Sequence, residues 1–304
     1  MNYHELQNKI KELVRKLDGI LLAHNYQRPE IQDMADMTGD SLGLSMRASQ
    51  TSAKVIVFCG VHFMAETASI LCPDKTVLLP RLDAGCPMAD TITAHSLRTR
   101  KKELPGVPVV TYVNSTAEVK AESDICCTSA NAVAVVRSLK EKRVLMTPDR
   151  NLALYTQRHV DKEILLWDGC CNIHDRLTSE QVLQAKERRP QALVVAHPEC
   201  RPEVLDLADA IRSTSGMLSF CAENPAEEFL IATENGLLHQ LRKQNPGKKF
   251  YQISKLMLCP NMKLTRIEDV LRAVQTMTPV VKVAEDIRRR ALKAVERMLL
   301  VPRD

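Results

Sequence analysis

The sequence has few aromatic residues and no long apolar run. Phe, Trp and Tyr make up only 4% of its 304 residues, and the basic residues are not interleaved with them, so nucleic acid is not favoured as a partner. No uninterrupted apolar stretch approaches the roughly 20 residues that cross a bilayer, and the N-terminus lacks the pattern of a secretory signal. We therefore expect a soluble, cytoplasmic protein that contacts neither nucleic acid nor a membrane.

The chain also lacks any C-x-x-C pair, although it has ten cysteines. Such pairs are typical of zinc sites. A chain of this length with 45% hydrophobic residues can bury a sizeable core without disulfides. We expect reduced thiols, some of them metal ligands, and the formal charge of +5 is compatible with a small acidic substrate.

Three of the cysteines recur at a nearly constant interval. Cys86, Cys171 and Cys259 are 85 and 88 residues apart, and each lies in a loop that follows a short apolar run. Any one of them alone would be interpreted as a small buried hydrophobe. Because they recur, we predict that the three thiolates meet in space. The other seven are assigned no ligand role: Cys59, Cys72, Cys126, Cys127, Cys170, Cys200 and Cys221.

Short apolar runs recur at the same interval and predict the fold. Three runs typical of buried parallel strands lead into polar side chains: 20–23 into His24, 109–111 into Tyr112 and 192–196 into His197. We predict an α/β fold of three pseudo-symmetric α/β/α domains, each with a small parallel sheet, around a central cluster site. The predicted domains are 1–90, 91–175 and 176–263, with C-terminal helices in 264–304 packing back on the first.

Hydroxyl groups precede three predicted helices at matching positions. Ser41, Ser129 and Thr214 are either simple N-caps or parts of anion sites, since hydroxyl and N–H groups converge at the positive end of a helix. Three such helix ends facing one centre would bind carboxylates or phosphate.

Polar residues at the strand ends have two interpretations as well. His24 and His197 would each, taken alone, be a satisfied core histidine, but their shared position favours ligand binding. Glu199 is either a general base or a surface acid. The role of Glu66, in an otherwise apolar helix, stays open.

Three thiolates from distant loops suit an iron–sulfur cluster better than a zinc ion. On a four-iron cluster they leave one iron with an open position, which can act as a Lewis acid on substrate oxygens. Two alternatives remain: a non-catalytic cluster protein, which would want a fourth thiolate, and a structural zinc protein.

The sequence resembles the quinolinate synthase family from about residue 21 to residue 263. The motifs that carry the resemblance are Ala23-His24-Asn25-Tyr26, Gly60-Val61-His62-Phe63-Met64-Ala65-Glu66-Thr67, Gly85-Cys86-Pro87-Met88-Ala89-Asp90, His197-Pro198-Glu199-Cys200 and Cys259-Pro260-Asn261-Met262-Lys263. The resemblance implies the condensation of iminosuccinate (iminoaspartate) with dihydroxyacetone phosphate to quinolinate, with loss of phosphate and water, in de novo NAD biosynthesis. It also implies a [4Fe-4S] cluster and an upstream supplier, L-aspartate oxidase or dehydrogenase.

The resemblance further implies roles for single residues. The family's Gly-x-Cys-x-x-His motif selects Cys171 over Cys170 and brings in His174. The implied cluster ligands are Cys86, Cys171 and Cys259. The implied catalytic residues are Glu199, Tyr26, Tyr112 and His197. The implied substrate-binding residues are His24, Ser41, Tyr112, Asn114, Ser129, His174, His197, Glu199 and Thr214.

Overall fold

The chain folds into three units, each built on one parallel sheet. The structure is a computed structural model that describes residues 3–303. Within that range it has fourteen α-helices and twelve β-strands. Unit 1 contains α1 (Tyr3–Lys16), β1 (Gly19–His24), α2 (Pro29–Gln32), β2 (Met37–Gly39), α3 (Ser41–Gln50), β3 (Val55–Cys59), α4 (His62–Leu71), β4 (Thr76–Leu78) and the loop of Cys86.

Units 2 and 3 repeat this order. Unit 2 contains α5 (Ala94–Glu103), β5 (Val109–Tyr112), α6 (Ala117–Ala121), β6 (Ile125–Cys127), α7 (Ala132–Ser138), β7 (Arg143–Thr147), α8 (Arg150–Gln157), β8 (Glu163–Leu166) and the loop of Cys171. Unit 3 contains α9 (Ser179–Arg188), β9 (Leu193–Ala196), α10 (Pro202–Leu205), β10 (Ala210–Ile211), α11 (Thr214–Glu223), β11 (Glu228–Ala232), α12 (Leu237–Gln244), β12 (Lys249–Gln252) and the loop of Cys259. Helices α13 (Ile267–Thr276) and α14 (Glu285–Leu299) follow.

The three sheets have the same topology. Their strand orders are β2-β1-β3-β4, β6-β5-β7-β8 and β10-β9-β11-β12, and all neighbouring strands are parallel. Every residue of β3 and β5 is buried, as expected for parallel strands covered by helices on both faces. The predicted α/β fold with three pseudo-symmetric units is therefore confirmed. The residue bounds of the domains stay a prediction.

One hydrogen bond occurs at the same place in each unit. An aspartate oxygen accepts from the backbone N–H of the first strand: Asp36 from Leu21 at 2.8 Å, Asp124 from Val109 at 2.8 Å and Asp209 from Val194 at 2.7 Å. The three pairs follow the interval of the cysteines, so the internal repeat extends to side-chain contacts.

Each unit contacts the next through the segment after its third strand. Three hydrogen bonds show the pattern: Glu66 Oε2 accepts from Ala117 N at 3.1 Å, Glu199 O accepts from Asn151 Nδ2 at 3.0 Å and Gly236 O accepts from Gln32 Nε2 at 3.0 Å. The units thus close into a ring with the ends of β1, β5 and β9 towards its centre. Glu66, whose role the sequence left open, is a buried partner of the first turn of α6.

The C-terminal helices join more than one unit. Ile267, Val270 and Val274 of α13 pack in one cluster with Ile10 and Val14 of α1. Helix α14 contacts α4 of unit 1 and also α6 and β6 of unit 2. Among residues 3–303, no helix combines the length and the apolar character needed to cross a membrane.

Candidate active site

A single cavity lies where the three units meet, and every residue with a predicted role lines it. Its lining includes His24, Tyr26, Ser41, Cys86, Tyr112, Asn114, Ser129, Cys171, His174, His197, Glu199, Thr214 and Cys259. The empty space is about 770 Å³, a figure that includes the open mouth. Residues far apart in sequence are therefore brought together as the repeat predicts.

The three recurring cysteines enter this cavity from three different units. Burial raises the pKa of each thiol, to about 12 for Cys86. The charge of Cys259 raises the pKa of Cys86 further, and that of Cys86 raises the pKa of Cys171, so the sulfur atoms are within electrostatic reach of one another. Cys170 lies instead beside Arg150 and Asp175, outside the described lining of the cavity.

A smaller group of possible metal ligands lies within the same cavity. Ligand atoms of Cys171, His174 and Glu199 are within 4.8 Å of one another, close enough for one ion. Among residues 3–303, the three cysteines do not form such a group. At least one pair of their sulfur atoms is therefore more than 4.8 Å apart, farther than the roughly 4 Å that a single tetrahedral zinc ion requires.

Glu199 is a buried acid of the cavity that is paired with two histidines. Its Oε2 lies 2.9 Å from His174 Nδ1 and 3.2 Å from His197 Nδ1. Burial would raise the pKa of this carboxyl, but the charges and hydrogen bonds of the two histidines outweigh burial and hold the pKa well below its ordinary value. The second oxygen, Oε1, is buried without a hydrogen-bond partner. One carboxylate oxygen is thus available to a ligand.

Two tyrosines, the buried Tyr112 and the half-buried Tyr26, lie near that carboxylate. Burial, followed by the charge of Glu199, raises the pKa of both Tyr26 and Tyr112 well above the ordinary value. The Tyr26 hydroxyl lies 2.6 Å from Thr233 Oγ1, which is also 2.8 Å from His174 Nε2. Both phenols are therefore neutral hydrogen-bond donors at neutral pH.

The hydroxyls of the predicted anion sites also have protein partners. Thr214 Oγ1 accepts a hydrogen bond from Asn25 Nδ2 at 3.0 Å, and Ser129 Oγ is 3.1 Å from His197 Nε2. Asn114 Oδ1 is buried without a partner. These contacts orient the polar atoms of the cavity wall before any ligand binds.

Sequence reasoning missed Asp40, which precedes Ser41 and lines the cavity. Its carboxyl accepts from Gly43 N at 2.8 Å, as an N-cap of α3, and from Arg303 at 2.6 and 3.1 Å. It also faces His24, whose pKa burial lowers to about 4, with Asp40 opposing that shift. His24 is thus neutral at pH 7.

Sequence reasoning also missed Asp149 and Glu234, two buried acids that hold the cysteine loops. Asp149 Oδ2 accepts the backbone N–H of Cys171 at 2.9 Å. Glu234 Oε1 accepts the backbone N–H of Cys259 at 3.1 Å. Their signal in the sequence is an acidic residue two positions after the third strand of the unit.

The chain matches known proteins over nearly its whole length. The family model described as quinolinate synthetase A protein matches residues 8–300. The chain belongs to the quinolinate synthase family. It is 58% identical to a quinolinate synthase of Geotalea uraniireducens over 304 residues, the whole of both chains. It is 54% identical to one of Methanosarcina barkeri over 301 residues, 99% of each chain.

Membership of the family confirms the resemblance that the motifs carry. Family names assign no role to single residues, so the ligand and catalytic roles in the cavity stay predictions.

Proposed function

We propose that this chain condenses iminosuccinate with dihydroxyacetone phosphate to give quinolinate, one phosphate and two waters. The observation that carries the proposal is the meeting of three cysteines, three histidines, two tyrosines and Glu199 in one cavity of a quinolinate synthase family member. The imine would be supplied by an enzyme that oxidises aspartate, L-aspartate oxidase or dehydrogenase.

The donor set of the cavity fits a [4Fe-4S] cluster with one open position. Cys86, Cys171 and Cys259 supply three thiols, and no fourth cysteine occurs in the described lining. The high thiol pKa values show that these thiolates are unfavourable without a cation, which a metal centre would provide. When bound, such a cluster supplies a Lewis acid for substrate oxygens.

The chain's own residues bind the anionic groups of the substrates. Ser41 and Thr214 are the first residues of α3 and α11, where the helix dipole favours negative charge. Because Thr214 Oγ1 accepts from Asn25, its own proton is available to a carboxylate or phosphate oxygen. Ser129 and the neutral His24 add donors on the same wall.

Glu199 is the proposed general base. Its lowered pKa keeps the carboxylate ionised at neutral pH, and the unpartnered Oε1 provides the atom that takes the proton. His174 and His197 hold the other oxygen and so fix the orientation of the carboxylate. The proton removed from a substrate carbon would be held on this carboxylate.

Tyr26 and Tyr112 are the proposed proton donors. Because their pKa values are raised, both keep the phenolic proton and can donate hydrogen bonds to substrate oxygens that gain negative charge. The contact of Tyr26 with Thr233 links this donor to His174.

The test compares two adjacent cysteines in anaerobically reconstituted protein. We expect the wild type to form quinolinate from the two substrates, and Cys171→Ser to lose both the chromophore and the activity. Cys170→Ser is the matched control and should keep both. Intact chromophore and activity in Cys171→Ser, or no quinolinate from the wild type, would contradict the proposal.

A further inference from the structure

Two buried acids occupy equivalent places in units 2 and 3. Asp149 comes two residues after β7, and Glu234 comes two residues after β11. Their side chains are only 2% and 0% exposed. Neither residue belongs to the proposed ligand set or to the proposed catalytic set.

Each acid accepts two backbone hydrogen bonds, one with each oxygen. Asp149 accepts from Leu152 N at 2.7 Å with Oδ1 and from Cys171 N at 2.9 Å with Oδ2. Glu234 accepts from Gly236 N at 2.7 Å with Oε2 and from Cys259 N at 3.1 Å with Oε1. In both units, therefore, one carboxyl group joins the start of a helix to the N–H of a proposed cluster ligand.

An ionised carboxyl group satisfies this arrangement with both of its oxygens. Both partners are N–H donors, and a carboxylate offers an acceptor on each oxygen. An amide of the same shape offers one acceptor, and its NH₂ group would face the second N–H. In a buried site that lost bond has no water to replace it.

We propose that Asp149 and Glu234 are positioning residues that fix the backbones of Cys171 and Cys259, so that the two sulfur atoms are held at the cluster site. The inference rests on the proposed function only for the identity of the centre. In metal sites, partners that orient the ligands change metal affinity or activity about 10- to 100-fold when they are lost.

The Glu234 contact extends to a proposed catalytic residue. Lys263 Nζ lies 3.0 Å from Glu234 Oε1, and it also donates a hydrogen bond to the backbone carbonyl of Tyr26. The position of Tyr26 is therefore tied to the same carboxyl group that holds the Cys259 loop. In unit 2, Asp149 has no described lysine or arginine within salt-bridge distance.

The experiment uses the isosteric variants Asp149→Asn and Glu234→Gln in reconstituted holoprotein. We expect each to lose iron to a chelator about 10- to 100-fold faster than the wild type. The EPR spectrum of the reduced cluster should change, because a displaced thiolate alters the environment of its iron. The conservative Asp149→Glu, which keeps two acceptors, should recover part of the retention.

The matched control is Asp209→Asn. Asp209 also accepts a backbone N–H, that of Val194 at 2.7 Å, but it lies at the start of a strand and touches no cysteine. This variant should lower the stability of the fold and leave both the EPR spectrum and the rate of iron loss unchanged.

If a variant does not fold, amide hydrogen exchange in the wild type tests the inference instead. In cluster-free protein, the amide hydrogens of Cys171 and Cys259 should exchange more slowly than that of Cys86, where the equivalent residue is Val61. Equal exchange rates at the three cysteine amides would overturn the inference. Iron retention and an EPR spectrum like those of the wild type in both Asp149→Asn and Glu234→Gln would also overturn it. If the wild type holds a cluster but makes no quinolinate, the proposed function fails while this inference stands.

Discussion

The loop of Cys86 and the loops of Cys171 and Cys259 reach the same cavity but are held differently. Two of them are anchored by a buried carboxyl group of their own unit. In unit 1 the residue at the equivalent position is Val61, which is 4% exposed and has no acceptor. The Cys86 loop is joined to its own unit by His62 N, which donates to Ala84 O at 2.8 Å, and to unit 3 by Asn261 Nδ2, which donates to Gly85 O at 2.9 Å.

The three cysteine loops are therefore held by different contacts, although the units share one topology. Asn261 lies two residues after Cys259, so the first cysteine loop depends on the third. The Cys171 loop has its anchor entirely within unit 2. We therefore expect a change at Asn261 in unit 3 to affect the loop of Cys86 as well as that of Cys259.

The largest effect is expected for Lys263→Met. Burial already raises the pKa of Glu234 and Lys263 opposes that rise. Removing the lysine leaves an acid at 0% exposure that keeps its two backbone hydrogen bonds but loses its cationic partner. Breaking one side of such a buried pair costs about 3–5 kcal/mol in the free energy of unfolding. Urea denaturation measures this loss in the free energy of unfolding.

Lys249→Met is the matched control for that experiment. Lys249 lies 2.9 Å from Glu228, but its side chain is 66% exposed, so its loss should cost less than about 1 kcal/mol. Equal losses in the two variants would show that Glu234 is not a buried anchor.

Falling pH is expected to destabilise the fold through His24, at the end of β1. Burial lowers the pKa of His24 to about 4, from 6.5. Between these values the unfolded chain binds a proton that the folded chain does not, so stability falls as the pH drops from 6.5 towards 4. The loss amounts to about 3 kcal/mol for this group.

His24→Asn should flatten that pH dependence of unfolding in the cluster-free chain. An unchanged slope would show that His24 does not carry the acid sensitivity.

Smaller effects come from the glycines of two of the loops. A Cβ on Gly169 would lie 2.4 Å from Thr91 Oγ1 and 2.5 Å from Pro148 O, whereas one on Gly85 meets nothing within 4 Å. Gly169→Ala should cost about 1–3 kcal/mol by overpacking. Gly85→Ala should change the free energy of unfolding by less than about 0.5 kcal/mol. Thermal unfolding of both variants compares the tight Cys171 loop with the open Cys86 loop; equal costs would remove the distinction.

A small effect is also expected for Asn261→Ala, which removes one hydrogen bond between the first and third cysteine loops. We expect a loss of about 1 kcal/mol in unfolding free energy. Amide exchange should rise around Cys86 and stay unchanged around Cys171. A rise around both cysteines would show that the loops are not held independently.

Much of the site could be predicted because its residues follow local patterns that repeat. Cys86, Cys171 and Cys259 end equivalent blocks, and His24, Tyr112 and His197 end equivalent strands. Parallel strands of equivalent units present their carboxyl ends to a common centre. The repeat in the sequence was therefore sufficient to predict that these residues line one cavity.

The contacts that hold the cavity residues could not be predicted in the same way. Asp40 forms an ion pair with Arg303, which lies 263 residues later in the sequence, and no local pattern indicates such a pair. Asp149 and Glu234 did carry a signal, since both follow a third strand by two residues. Extending the comparison of the repeats to the ends of the third strands would have found them.

The central claim is that three cysteines from three units hold one multi-iron cluster. Metal and sulfide analysis of the anaerobically purified chain, with EPR in the presence and absence of a dicarboxylate, tests it most directly. The account predicts about four irons and four sulfides per chain, with an EPR signal that the dicarboxylate perturbs. One zinc ion per chain and no sulfide would contradict it, and would favour a single ion at Cys171, His174 and Glu199.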